Sequence, residues 1–297
     1  MNEASLSDSG PVVPHGLAER AREISDGRLA PAVPRDAATV ILLREAGAEA
    51  EAAAEVEAFL LRRTAELEFA PGAYVFPGGS VDACDADPAV GWAGPGPADF
   101  AALLDVPPDR ARGLVCAAVR ETFEESGVLL AGPSADELVR DSTVLAADRR
   151  ALLAGATSLT ELLGRRGLIL RTDLLTPWAR WITPEASPRR FDTWFFAAAL
   201  PPGQTATAAP EGVGDHPDPG ESESGTWLRP AAALQAARAG QITLLPPTAV
   251  TLGELAGHPG LAAILARRQV ITPRLPKVVV EDGRVRLHLP QAGKERP

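Results

Sequence analysis

Arg120-Glu121-Thr122-Phe123-Glu124-Glu125-Ser126-Gly127-Val128 is the stretch on which the reading of this chain turns. At about 100° per residue, a helix through it places Glu121, Glu124 and Glu125 at i, i+3 and i+4 on one face. Val115, Cys116, Val119 and Phe123 fall on the other face, so the segment reads as an amphipathic helix packed on a core. Gly127 stands where a left-handed C-terminal cap would end it. Three neighbouring carboxylates repel, and between Leu114 and Gly127 the one cation is Arg120. Two readings follow: a solvated acidic face, or oxygen ligands for a hard divalent cation such as Mg²⁺ or Mn²⁺.

Upstream, Ala73-Tyr74-Val75 is a short β-like run that ends in Phe76-Pro77-Gly78-Gly79, a glycine-rich turn. Five residues separate Gly79 from Asp85, and Arg-Glu-x-x-Glu-Glu-x-Gly follows at 120–127. This resembles the Nudix box, with Thr122 and Val128 at its aliphatic positions and Asp85 at a position that is usually glutamate. The spacer departs from the box, because residues 86 to 119 number 34 where the common box has 7. The implied insertion, about residues 86–109, is rich in Pro, Gly and Ala and carries Trp92 and Phe100. It is expected to be a partly helical excursion near the site, either a lid or a packed surface decoration.

The likeness reaches beyond the box. Phe59-Leu60-Leu61-Arg62-Arg63-Thr64 and Pro71 to Gly79 are similar to the approach to the box in the coenzyme A diphosphatase branch of Nudix hydrolases. Trp181-Ile182-Thr183-Pro184, Arg190-Phe191-Asp192-Thr193, Glu221 with Trp227, and Leu245-Pro246-Pro247-Thr248 are similar to its longer members. The resemblance runs from about Thr39 to Leu255. It implies an α/β Nudix fold, a mixed sheet sandwiched between helices, with an in-box insertion and a C-terminal helical extension. The expected organisation is a flexible arm over 1–36 with one short helix open to it from Leu17 to Ile24, a hydrolase domain over 37–245 and an extension over 246–297.

The same resemblance implies metal-dependent hydrolysis of a diphosphate bridge in a nucleoside diphosphate linked to another group. Glu121, Glu124 and Glu125 would bind Mg²⁺ or Mn²⁺, and Glu124 or Glu125 would also activate water. Arg120 would orient the carboxylates, while Gly78 and Gly79 would let the backbone approach the substrate closely. The favoured substrate is coenzyme A or acyl-coenzyme A, giving 3′,5′-ADP and (acyl)phosphopantetheine. Hydrolysis of NADH or an ADP-sugar is the second enzymatic reading, and a non-catalytic nucleotide-binding module is the third. Asp85 is expected to play a supporting role.

Other residues remain open between two readings. Glu221 or Glu223 is either an additional base or part of a solvated loop. Arg189 and Arg190 are candidates for the 3′-phosphate, with a pairing of Arg190 to Asp192 or another carboxylate as the alternative. Trp178, Trp181 and Trp194 either stack an adenine or belong to the core.

Charge and composition bound the partners. A net charge of −10 argues against a nucleic-acid or anionic-membrane surface, though not against a phosphate ligand that arrives with a cation. Cys84 and Cys116 offer neither a disulfide framework nor zinc spacing. The first ten residues have no signal-peptide pattern, and no apolar run is long enough to span a bilayer, so a cytoplasmic location is expected.

Along the chain, strands are expected over 39–43, 56–62, 168–170, 178–184 and 190–200, the last one central, and 226–228. Helices are expected over 134–163, after Pro230, and over 248–267 with a break at His258-Pro259. A hairpin should close at Asp282-Gly283.

Overall fold

The computed structural model describes residues 15–47, 55–64, 70–208, 222–281 and 284–289. In chain order these form α1 (His15–Ser25), β1 (Arg35–Glu45), β2 (Val56–Arg63), β3 (Ala73–Val75), β4 (Gly78–Ser80), β5 (Trp92–Ala93), α2 (Pro97–Leu104) and α3 (Pro108–Ser126). Then come β6 (Ala131–Gly132), α4 (Ala146–Leu153), α5 (Leu159–Arg166), β7 (Ile169–Arg171), β8 (Thr176–Ile182) and β9 (Phe191–Ala199). The remainder is β10 (Ser222–Leu228), α6 (Pro230–Arg238), β11 (Thr243–Leu244), α7 (Pro246–Ala256), α8 (Leu261–Leu265), β12 (Pro273–Arg274), β13 (Lys277–Glu281) and β14 (Arg284–His288). The chain divides into a larger unit, 37–178 with 194–271, and a smaller one, 1–36 with 179–193 and 272–297.

In the larger unit a mixed sheet runs in the order β11-β3-β2-β1-β9-β8, with β10 added on β2 and β4 on β1. Its central strands are apolar on both faces. Val40 to Leu43 and Trp194 with Phe196 to Ala198 are fully buried, as continuous hydrophobic runs require when layers cover both sides. The β4–β1 ladder pairs Thr39 with Gly78 and Ala38 with Gly79, which fixes the glycine turn to the sheet. A Cβ on Gly78 would meet Thr39 Cα at 2.7 Å, so this approach needs glycine.

Helix α3 begins at Pro108, twelve residues before Arg120, because proline at the first helical position loses no hydrogen bond. Much of the long spacer is therefore an N-terminal continuation of the acidic helix. The rest of the insertion sends several apolar side chains into the core. Val90, Phe100, Leu104 and Val106 are buried in the cluster that holds Val115, Val119 and Phe123. β5 joins β7 in parallel, and Thr172 Oγ1 lies 2.9 and 2.8 Å from the carbonyl oxygens of Ala93 and Pro95. This is neither the lid nor the surface decoration expected from composition, since apolar side chains scattered among Pro and Gly still fill one core.

The helix expected over 134–163 is a second correction. Residues 133–141 carry no helix, Asp141 accepts from the Thr143 N–H at 2.9 Å to cap a 3₁₀ turn, and α4 and α5 follow separately. Ser158 and Glu161 form a reciprocal capping box that starts α5 anew. The break at His258-Pro259, the central β9 and the helix opened by Pro230 all stand where expected.

The smaller unit contains α1, β12 paired in parallel with the end of β8, and the β13–β14 hairpin. The short helix open to residues 17–24 of the expected arm is present as α1, and Arg20 Nε donates to the Ala186 carbonyl at 3.0 Å. The hairpin's turn, 282–283, lies outside the described residues. Among the described residues no helix is long and apolar enough to cross a membrane.

Candidate active site

Helix α3 is buried almost all round, and this removes the solvated-face reading of its carboxylates. Glu124 is only 9% exposed, Thr122 opposite is fully buried, and Cys116 is a core residue. Gly127 ends the helix with φ of +70°, its N–H donating to the Phe123 carbonyl at 2.9 Å. The helix packs against β4, so the acidic face meets the Gly78–Ser80 turn.

Arg120 organises that face. Its guanidinium is 5% exposed and all five N–H groups find acceptors. Nη1 donates to Glu121 Oε1 at 2.8 Å and to Glu124 Oε2 at 2.9 Å. Nε donates to Asp85 Oδ1 at 3.0 Å, while Nη2 donates to Asp85 Oδ2 at 2.9 Å and to the Ser80 carbonyl at 2.8 Å. Burial opposes its charge, but the Asp85 hydrogen bonds and the charges of Glu121 and Glu124 hold it above the ordinary arginine value. Glu125 turns the other way, and its Oε2 accepts from the Gly78 N–H at 2.8 Å.

Asp85 is 2% exposed and sits in a 3₁₀ turn, Ala83–Ala86, where it also accepts from the Asp82 N–H at 2.8 Å. Its carboxylate is taken up by Arg120 and the Asp82 N–H, so its task is to fix the arginine. Asp85→Asn leaves one oxygen for the fork and is expected to slow turnover about three- to tenfold, far less than loss of Glu125. Parallel kinetics of Asp85→Asn and Glu125→Gln check this; equal losses in two folded variants would make Asp85 a direct participant.

The site fits a divalent cation in its chemistry. Burial pushes the Glu121 carboxyl up to about 8, with Arg120 opposing and Glu124 adding to the rise. Burial likewise raises Glu124. These are crowded, desolvated hard-oxygen donors short of positive charge. Gly79 keeps the space over Glu121 open, since a Cβ there would meet its Cδ at 2.5 Å. Among the described residues no three acidic, His or Cys side chains already converge as a closed cage, because Arg120 Nη1 holds Glu121 and Glu124 while the Gly78 N–H draws Glu125 away. Mg²⁺ does not ask for such a cage, as it keeps several waters and takes one or two carboxylates.

The other sequence candidates fall elsewhere. Arg190 is 7% exposed and donates to the carbonyls of Thr183 at 3.0 Å and Ala32 at 2.8 Å. Its guanidinium holds main chain of the smaller unit in place of the phosphate contact expected for it. Asp192 forms a bidentate pair with Arg180, at 2.8 and 2.6 Å, which corrects the Arg190–Asp192 alternative. Arg189 is exposed in the same smaller unit. Glu221 lies outside the described residues, and Glu223 lies in β10. Trp178, Trp181 and Trp194 are core residues, each at most 4% exposed.

Fold and site together define an α/β protein whose acidic helix is clasped to a glycine turn by one buried arginine. The family model of the NUDT19 Nudix domain matches residues 99–255, more than half of the chain, and the chain belongs to this Nudix family. It is similar to the acyl-coenzyme A diphosphatase NUDT19 of Gallus gallus, 28% identical over 233 residues that cover 65% of this chain and 59% of the relative. The Homo sapiens protein of that name is 29% identical over 241 residues, covering 68% and 61%. The chain therefore spans about three fifths of the length of these relatives. A crystal structure of a NUDIX hydrolase from Alicyclobacillus acidocaldarius superposes with a TM-score of 0.59 at 25% identity, covering 80% of this chain and 98% of that one.

Proposed function

We propose that this chain hydrolyses the diphosphate bond of coenzyme A or an acyl-coenzyme A, releasing 3′,5′-ADP and (acyl)phosphopantetheine. The observation that carries the reading is the set of Glu121, Glu124 and Glu125, desolvated on one helix face and held by Arg120 and the Gly78 N–H. The relatives named acyl-coenzyme A diphosphatase support the substrate class. Mg²⁺ or Mn²⁺ held by Glu121, Glu124 and Glu125 would neutralise the diphosphate charge and acidify a water. The chain's own residues do the positioning. Arg120 keeps Glu121 and Glu124 in fixed rotamers, and the Gly78 N–H orients Glu125. The carboxylate of Glu124 or Glu125 takes the proton of the attacking water, with Glu221 a candidate for an additional base. Gly78 and Gly79 present a turn without side chains to the phosphates.

A product-resolved assay with purified protein, Mg²⁺ or Mn²⁺, and coenzyme A, dephospho-coenzyme A, NADH and ADP-ribose tests this. The expected result is 3′,5′-ADP and phosphopantetheine, with the highest kcat/KM for coenzyme A. Turnover of NADH or ADP-ribose alone would move the activity to another nucleotide, and binding without product would make the chain a binding module.

The raised carboxyls give a readout that needs no substrate. In metal-free protein Glu121 keeps its proton up to about pH 8 when folded and releases it near 4.5 when unfolded. The folded state then binds more protons, so the stability from this group is full below about pH 4.5 and falls as pH rises towards 8. Metal-free protein should therefore lose melting temperature between pH 5.5 and 8. Added Mn²⁺ should raise the Tm more at pH 8 than at pH 5.5, because it competes with protons at low pH. Thermal unfolding with EDTA or Mn²⁺ at the two pH values checks the sign.

A further inference from the structure

The C-terminal end of the acidic helix is held by a residue that no part of the box contains. Arg149, on α4, is 9% exposed, and its Nε donates to the Glu124 carbonyl at 2.9 Å. Its Nη2 donates to the Thr207 carbonyl at 3.1 Å, and the Thr207 N–H donates to the Ser126 carbonyl at 2.8 Å. Gly127 is favoured by its left-handed φ, and a Cβ there would lie 2.8 Å from Arg149 Nη1, so the guanidinium lies directly against the helix end. The last carbonyls of a helix have no partner within it, and a cation there also meets the negative end of the helix dipole. Among the described residues no carboxylate lies within ion-pair distance of Arg149; Glu125 and then Glu124 supply the longer-range attraction that offsets its burial.

We infer that Arg149 is a positioning residue for the proposed hydrolysis, its guanidinium fork bridging the Glu124 and Thr207 carbonyls to fix where the Glu124 and Glu125 side chains leave the helix. The inference rests on the function proposed above. A planar fork fits the task, because two N–H groups on different nitrogens reach two carbonyls from different elements at once, and a lysine ammonium is a poor substitute for that geometry. The rest of the exit is equally determined. Gln204 donates to the carbonyls of Leu129 and Val139 at 3.0 and 2.7 Å and accepts from the Leu129 N–H at 2.8 Å, so residues 204–207 form a fixed rail for Arg149 to tie to. A change at Arg149 therefore loosens the end of the helix that carries two of the three glutamates, and leaves the Arg120 contacts to Asp85, Ser80 and Glu121 in place.

Arg149→Met and Arg149→Lys test this, with kcat and KM for coenzyme A taken per folded molecule well below each Tm. Arg149→Met should lose at least about tenfold in kcat and Arg149→Lys about threefold or more, with KM within twofold in both. Amide hydrogen exchange over residues 124–129 should be faster in both variants. Exchange reads the tie even in a protein that turns over none of the substrates, so failure of the activity reading and failure of this one are told apart. If Arg149→Met does not fold, Arg149→Lys decides alone. A folded variant with kcat within twofold of wild type, a loss confined to KM, or unchanged exchange over 124–129 would overturn the assignment.

Discussion

Glu124→Gln and Glu125→Gln are each expected to lower kcat for the diphosphate substrate by on the order of a hundredfold or more, without unfolding the protein. Both replacements keep the length and hydrogen-bonding shape of the side chain and remove its charge. Glu125 would still accept from the Gly78 N–H through an amide oxygen, and Glu124 from Arg120 Nη1. What is lost is an anionic ligand and a proton acceptor, so the effect belongs in kcat and in metal affinity. Stability should hold, because burial disfavours the ionised form of Glu124, Asp85 and Asp82 add to that, and Glu124 in turn raises the cost of ionising Glu121. Steady-state kinetics at saturating Mg²⁺, with thermal unfolding alongside, check both parts. Turnover within threefold of wild type in either variant would take that carboxylate out of the chemistry.

Arg120→Met is expected to destabilise the fold by about 3–5 kcal/mol at pH 7.5, the loss that follows when one partner of a buried ionic cluster is removed. Asp85, Glu121 and Glu124 each lean on that guanidinium, and Asp85 is 2% exposed. Without it the Glu121 and Glu124 carboxyls, already raised by burial, lose the charge that opposes the rise, so the folded state holds protons that the unfolded state releases. Stability of the variant then falls as pH rises, and the deficit should be smaller at pH 5 than at pH 7.5. Urea midpoints of wild type and variant at both pH values measure this. A deficit below about 1 kcal/mol, or one that grows as pH falls, would contradict the clasp.

Much of this was legible in the residues because it is local. The i, i+3, i+4 spacing of Glu121, Glu124 and Glu125, the stop at Gly127 and the reach of Arg120 to Glu124 are properties of one helix, and periodicity reports them directly. The breaks set by Pro230 and His258-Pro259 are local in the same way. What could not be read depends on contacts between distant segments. Asp85 meets Arg120 across 35 positions, and only the fold shows that its carboxylate is spent on the arginine. Arg149 lies 25 positions from Glu124 in an ordinary stretch, Asp148-Arg149-Arg150, with nothing local to separate a buried tie from a solvated arginine. Arg190 misled for the converse reason, since two adjacent arginines in an acidic chain look like an anion site until main-chain carbonyls are seen to occupy the second. The insertion misled by composition, because Pro, Gly and Ala at its ends hide Phe100 and Leu104 in the core.

The central claim is that Glu121, Glu124 and Glu125 form one divalent-cation site whose geometry Arg120 sets. The most direct measurement is equilibrium Mn²⁺ binding, read by electron paramagnetic resonance, to wild-type protein and to the Glu121→Gln/Glu124→Gln/Glu125→Gln variant at pH 8. Wild-type protein should take up Mn²⁺ saturably, and the folded triple variant should leave it free in solution. Equal uptake by the two proteins would place the cation elsewhere and contradict the account.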